Sequence, residues 1–149
     1  MEIIFTIAKN SDRETLVELV REFHEFEHLS FDEGIIKSLL AKILDSDRLG
    51  RVWLIQDDGK TVGYIVLTFG YSLEYQGRDA FIDEFYIQAS HRRQGIGRRA
   101  IKFIESICPS LEIQAIHLEV ERHNTAAQSF YQQAGFKEQR YLMTKWMVV

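Results

Sequence analysis

Phe81-Ile82-Asp83-Glu84-Phe85-Tyr86-Ile87-Gln88-Ala89-Ser90-His91-Arg92-Arg93-Gln94-Gly95-Ile96-Gly97 runs from a strand-like composition into a glycine-rich turn. Its first part is dense in aromatic and β-branched residues, which suit a pleated, half-buried backbone, and it predicts a strand over Ala80–Gln88. From Gln94 the pattern changes: Ile96, Ala100, Ile101, Phe103, Ile104 and Ile107 recur at helical intervals until Cys108-Pro109, where proline stops the helix. Between strand and helix lies Arg92-Arg93-Gln94-Gly95-Ile96-Gly97. Alanine would favour a helix start more than either glycine, so the two glycines predict that a ligand approaches the backbone there. Free amides and the helix dipole make such a turn an anion seat, and Arg92, Arg93, Arg98 and Arg99 add positive charge around it. The spacing is not Gly-x-Gly-x-x-Gly and no Gly-Lys-Ser/Thr follows, which argues against a dinucleotide fold and a P-loop.

Upstream, a strand is expected near Ile3 to Ala8. Ser11-Asp12-Arg13-Glu14 then has capping-box spacing before a helix running to about His28. The box recurs at Ser30-Phe31-Asp32-Glu33, ahead of a second helix carrying Ile35, Ile36, Leu39, Leu40, Ile43 and Leu44. Val52 to Gln56 and Thr61 to Phe69 read as strands of a hairpin closed by Asp57-Asp58-Gly59-Lys60, with Gly70 to Asp79 as a polar loop behind them. Downstream, Ala115 to Val120 alternates as a strand, a short helix runs from about Thr125 to Ala134-Gly135, and Phe136 to Arg140 and Tyr141 to Val149 read as closing strands. The order predicts an antiparallel meander joined to a strand-helix-strand crossover, whose two strands should be parallel.

The chain has 149 residues, 46% hydrophobic and 27% charged, the range of one ordinary globular domain. A net charge of -4 argues against a nucleic-acid partner and favours a small-molecule or cationic one. No apolar run is long enough for a membrane span and the start lacks a signal-peptide pattern, so a cytoplasmic protein without membrane attachment is expected. The single cysteine, Cys108, excludes an intrachain disulfide and fits a reducing compartment.

Phe81 to Ile87, Arg92-x-x-Gly95-x-Gly97 and Asn124-x-x-Ala127-x-x-Phe130-Tyr131-x-x-x-Gly135-Phe136 together resemble the GNAT superfamily of acetyl-CoA-dependent N-acetyltransferases in order and spacing. The resemblance implies a mixed α/β sandwich formed by residues 1–149 as one domain. Its central sheet would be mostly antiparallel, with one splayed parallel strand pair and helices on both faces. Acetyl-CoA is the implied cosubstrate, without a metal. Its pyrophosphate would lie on the amides of Arg93, Gln94, Gly95, Ile96, Gly97 and Arg98, beside Arg92. Its pantetheine would run between Phe85-Tyr86-Ile87 and Leu118 to Val120, where unpaired strand edges can bond an extended amide chain. Asn124 and Ala127 are further implied cofactor contacts, and Tyr131 is the implied acid for the departing thiolate. From periodicity alone, Tyr131 reads rather as a core aromatic beside Phe130.

Asp83 and Glu84 are the candidate bases. Adjacent on a strand, they should point to opposite faces, Asp83 with Phe81, Phe85 and Ile87, and Glu84 with Ile82 and Tyr86. Within the superfamily the chain looks most similar to polyamine and diamine N-acetyltransferases. In register, their substrate-side Glu falls on Asp83, and their aromatic-acid pair at a helix end falls on Phe26 and Glu27; Phe69-Gly70-Tyr71-Ser72 is also similar. The expected partner is a small-molecule amine, with a homodimer as the assembly considered. Peptides, amino acids and aminoglycosides are alternative acceptors, and a catalytically silent CoA-binding module is an alternative role. His24-Glu25-x-x-His28 also spells HExxH, which on a helix could place two imidazoles on one zinc ion, although it lies at a helix end without a third ligand motif. His91, His117, His123 and Cys108 are expected in surface or packing roles.

Overall fold

The computed structural model describes residues 1–147, in two compact units, one from Met1 to His117 and one from Leu118 onward. The first unit holds a five-stranded sheet in the order β1-β2-β3-β4-β5, with β1 at Ile3–Ile7, β2 at Gly50–Asp57, β3 at Lys60–Ser72, β4 at Gly77–Ile87 and β5 at Ala115–His117. Neighbouring strands are antiparallel except β4 and β5, which are parallel through Asp79↔Ala115, Ala80↔Ile116 and Phe81↔His117. The crossover helix α3, Ile96–Ile107, joins that pair, as the strand-helix-strand pattern requires. No helix among the described residues is long and apolar enough to cross a membrane.

Alternation along the strands builds two apolar layers. Val52, Leu54, Tyr64, Val66 and Tyr86 pack with Leu16, Val17, Leu19 and Val20 of helix α1, Arg13–Phe26, and Leu40 of helix α2, Glu33–Leu44. On the opposite face, α3 buries Ile96, Ala100, Ile101 and Ile104, while its Phe103 stacks on Phe5 at 4.8 Å and meets Trp53 edge-on at 5.7 Å.

Several local expectations need correction. Ser11 and Glu14 do not form the box that starts α1: Asp12 closes a 3-10 turn at Asn10–Asp12 by accepting from the Lys9 amide at 2.8 Å. The cap of α2 is Asp32, which accepts from the Ile35 amide at 3.0 Å, where Ser30 was expected. Helix α1 stops at Phe26, and His28 adopts a left-handed φ of 57°. The β2–β3 turn has the expected form, with positive φ at Asp58 and Gly59.

The polar segment Gly70 to Asp79 is mostly hairpin rather than loop. The ladder continues through Gly70↔Asp79, Tyr71↔Arg78 and Ser72↔Gly77, because cross-strand contacts there, including Arg78 over the Phe69 ring at 4.6 Å, replace an apolar pattern.

The strand expected over Ala115 to Val120 covers only Ala115–His117, and the ladder with β4 ends at Phe81. A bulge follows in β4: Val66 faces Glu84 and Leu67 faces Ile82, leaving Asp83 as the extra residue. The extra residue reverses the alternation. Phe81 therefore shares the α1 face with Glu84 and Tyr86, and Ile82 shares the α3 face with Phe85, contrary to simple parity.

In the second unit, helix α4, Thr125–Gln133, is capped by Asn124, whose Oδ1 accepts from the Ala127 amide at 3.1 Å. It ends in Gly135 at φ 99°, with Phe136 N donating to Tyr131 O at 3.0 Å, the expected left-handed stop. The closing strands Phe136 to Arg140 and Tyr141 to Val149 are not formed among the described residues, and Val148 and Val149 lie outside them. A strand needs a ladder partner, and Tyr141, Leu142, Met143, Trp146 and Met147 remain exposed.

Candidate active site

The turn before α3 has the geometry of an anion seat. Arg93 and Gly95 take left-handed φ values of 60° and 80°, and Gly95 caps the helix. The first bond within α3 is donated by Arg99 N to Gly95 O at 3.2 Å, so the amides of Ile96, Gly97 and Arg98 have no acceptor inside the helix. A Cβ built on Gly95 meets nothing within 4 Å, so its left-handed backbone and open approach, rather than crowding by protein, account for glycine there. These features fit a phosphate group of CoA. The Arg92 side chain points elsewhere. Its Nε donates to Ile87 O at 2.9 Å and its guanidinium lies over Phe26 at 4.4 Å and Tyr86 at 5.6 Å, tying the end of α1 to β4.

Asp83 and Glu84 differ sharply in partners. Glu84 accepts from Tyr64 Oη at 2.7 Å, and its other oxygen lies 2.6 Å from His24 Nε2. His24 Nδ1 lies 3.0 Å from Ser30 O, so both ring nitrogens are engaged and His24 is only 9% exposed. Burial pulls this imidazole down, but the bonds to Ser30 and Glu84 and the charges of Glu84 and Asp83 more than offset it, leaving it above its ordinary value. Tyr64 is pushed far up by burial and by the Glu84 carboxylate. Asp83 reaches solvent at the bulge, yet the protein crowding around it raises its carboxyl, with His24 opposing the rise. The charges of Asp83 and Glu84 both act on His24 and Tyr64. The expectation that the two acids point to opposite faces assumes regular alternation, which the extra residue at Asp83 interrupts.

Of the remaining β4 residues, Tyr86 donates to Glu22 Oε1 at 3.1 Å, and burial with Glu22 raises its phenol. Phe85 faces Ile65 on the α3 side, and Ile87 pairs with Gly63. Beyond Phe81, β4 has no strand partner on its β5 side among the described residues. Glu27 caps the exposed end of α1 next to Phe26, one of whose ring faces carries Arg92. In the second unit, Asn124 and Ala127 are bonded to each other, and the Tyr131 ring meets Phe130 at 5.1 Å and Phe136 at 5.7 Å.

The HExxH face does not exist: α1 ends between its two histidines, and His24 is held by Glu84 and Ser30. Cys108 is buried, its thiol raised by burial and Glu105, with Sγ donating to Ile104 O at 3.1 Å. His91 pairs with Asp57 at 3.0 Å. Sequence reading missed His24 and Tyr64 as partners of Glu84, since residues 60 and 20 positions away in the chain leave no local signal.

A model of the acetyltransferase (GNAT) family matches residues 13–136, from the start of α1 past the end of α4. The chain belongs to the GNAT acetyltransferase family. It is thereby an acetyl-CoA-dependent N-acetyltransferase. Among similar proteins, a thialysine N-epsilon-acetyltransferase of Bos taurus is 26% identical over 88% of this chain and 82% of its own. An integron cassette protein from the mobile metagenome of Cole Harbour Salt Marsh has 30% identity and a TM-score of 0.86, covering 97% of this chain and 91% of that one. A possible acetyltransferase from Clostridium difficile 630 matches with a TM-score of 0.87 at 24% identity, over 100% of this chain and 99% of its own. The family match spans the turn at the head of α3 and the parallel pair that follows it.

Proposed function

We propose that this GNAT enzyme acetylates the primary amine of a small cationic acceptor, a polyamine or diamine, in the cytoplasm, with Asp83 as the proton acceptor. The observation that carries this reading is the division between the two acids: Glu84 is occupied by His24 and Tyr64, while Asp83 stands unpaired at a bulge with a raised carboxyl. An alkylammonium of pKa about 10.4 leaves roughly one molecule in a few thousand neutral at pH 7, so a base beside the nitrogen is needed. A carboxylate raised toward neutrality accepts that proton, directly or through a water, better than an ordinary one.

Acetyl-CoA supplies the activated thioester carbonyl. The amides of Ile96, Gly97 and Arg98 and the positive end of α3 hold its phosphates in this reading, and the open edge of β4 from Phe85 to Ile87 bonds the extended arm. Following the family resemblance, Asn124 and Ala127 are assigned to cofactor contact and Tyr131 to protonating the leaving sulfur. The relative from Bos taurus is named for the N-epsilon amine of thialysine, a primary amine, which supports the same acceptor chemistry here. Net charge of -4 supports a cationic acceptor, with Glu27 and Phe26 at the end of α1 as further contacts.

Asp83→Asn and Glu84→Gln separate the roles. Asp83→Asn should lower kcat/KM about 10²-fold or more while CoA binding persists, the usual scale for a lost general base. Glu84→Gln should lower thermal stability and retain more activity than Asp83→Asn. An Asp83→Asn enzyme with full turnover in a regime limited by chemistry would overturn the assignment.

A further inference from the structure

A second carboxylate on β4 is built into a site of its own. Asp79 accepts from His117 Nε2 at 2.9 Å, and the two side chains are 13% and 21% exposed. A Cβ on the opposite residue, Gly70, would fall 2.6 Å from Asp79 Oδ1, so the missing side chain there makes room for the carboxylate. Because a carboxylate only accepts, Nε2 is the donor in this bond, so in the neutral imidazole Nδ1 is the acceptor, and no hydrogen bond to Nδ1 forms among the described residues. Tyr75 packs edge-on against the imidazole at 4.6 Å, and Phe81, 40% exposed, lies against it at 5.0 Å. A partly exposed imidazole backed by a carboxylate and flanked by aromatic rings has the chemistry of an ammonium site.

We propose that Asp79, His117, Tyr75 and Phe81 form the subsite for the distal ammonium of the acceptor, with His117 Nδ1 accepting a hydrogen bond from it. The proposal rests on the amine-acetylation reading and deepens it by setting a length. Asp79 and Asp83 lie four residues apart on one strand, about 10–13 Å at roughly 3.3 Å per residue with the bulge. An acceptor spanning both acids is a linear triamine or long diamine with terminal nitrogens about 10 Å apart. A short diamine reaches one acid only.

Steady-state acetyl transfer with a linear triamine and a monoamine of equal length, on the wild-type enzyme and His117→Gln, tests the subsite. KM for the triamine should rise about tenfold in the variant, with KM for the monoamine and kcat for both changed less than about twofold, because only binding of the second charge is lost. Across wild-type diamines, KM should fall as the chain lengthens to the predicted span. Gly70→Ala, which displaces the Asp79 carboxylate and with it the partner of His117 Nε2, should reproduce the triamine-selective rise. Equal changes for both acceptors, or no change for the triamine, would overturn the subsite. A wild-type enzyme that acetylates no amine would contradict the underlying reading instead. The subsite is then read directly: the imidazole resonances of His117 should shift when the triamine is titrated into the protein saturated with CoA, and unmoved resonances would refute it.

Discussion

At the residue scale, His24 is the side chain whose chemistry departs furthest from its place in the sequence. HExxH spelling suggests a ligand, whereas the fold makes it the buried partner of Glu84, beside the bulge that presents Asp83. Its folded pKa lies above the unfolded value of 6.5, so its stabilising contribution is complete below pH 6.5 and disappears as pH rises through the folded value. Denaturant titrations across that window should show the wild-type protein losing stability that His24→Gln never had; parallel pH profiles for the two would contradict the charged pair. Tyr131 is a second residue-scale case. Tyr131→Phe keeps the ring against Phe130 and Phe136 and removes only the hydroxyl, so stability and CoA binding should persist while kcat falls. A thiolate of pKa near 8.5 already leaves readily, so the loss should lie at or below the low end of the roughly 10²–10⁴-fold scale of general acids. Unchanged single-turnover rates would remove Tyr131 from the chemistry.

At the element scale, the strand-turn-helix unit from β4 to α3 was legible because each part carries a local signal: β-rich composition, paired glycines, then helical periodicity ended by proline. Gly97→Leu should abolish the rise in melting temperature that CoA produces, while the unliganded protein melts within a few degrees of the wild type; thermal scans with and without CoA read both quantities. What the sequence could not disclose is the bulge. An extra residue in a ladder is defined by the partner strand, here Val66 and Leu67 against Ile82 and Glu84, so the faces of Asp83 and Phe81 follow from pairing rather than from spacing. The same limit explains the closing strands: residues 136–147 contain aromatic and apolar side chains, but no ladder among the described residues accompanies them. Gly63 shows the reverse, a close approach invisible in one strand, since a Cβ there would lie 2.2 Å from Tyr86 O. Gly63→Ala should cost about 1–3 kcal/mol by forcing β3 from β4, measured by urea unfolding.

At the scale of the whole molecule, element order and the two spaced motifs disclosed the fold and the reaction class, and the family match over residues 13–136 agrees with them. The acceptor site was less legible. Asp83, Glu84, His24, Asp79 and His117 come from α1, β4 and β5, and only tertiary pairing decides which acid is occupied and which is open. Direct acetyl transfer to a cationic amine through the open acid is tested by mass-spectrometric analysis of products when the enzyme is given acetyl-CoA and an equimolar mixture of a linear triamine, a short diamine, an aminoglycoside, an amino acid and a peptide. A singly acetylated triamine should be the dominant product, formed in step with CoA release and suppressed by Asp83→Asn. Preferential acetylation of an uncharged or anionic acceptor, or CoA release without any acetylated amine, would contradict it.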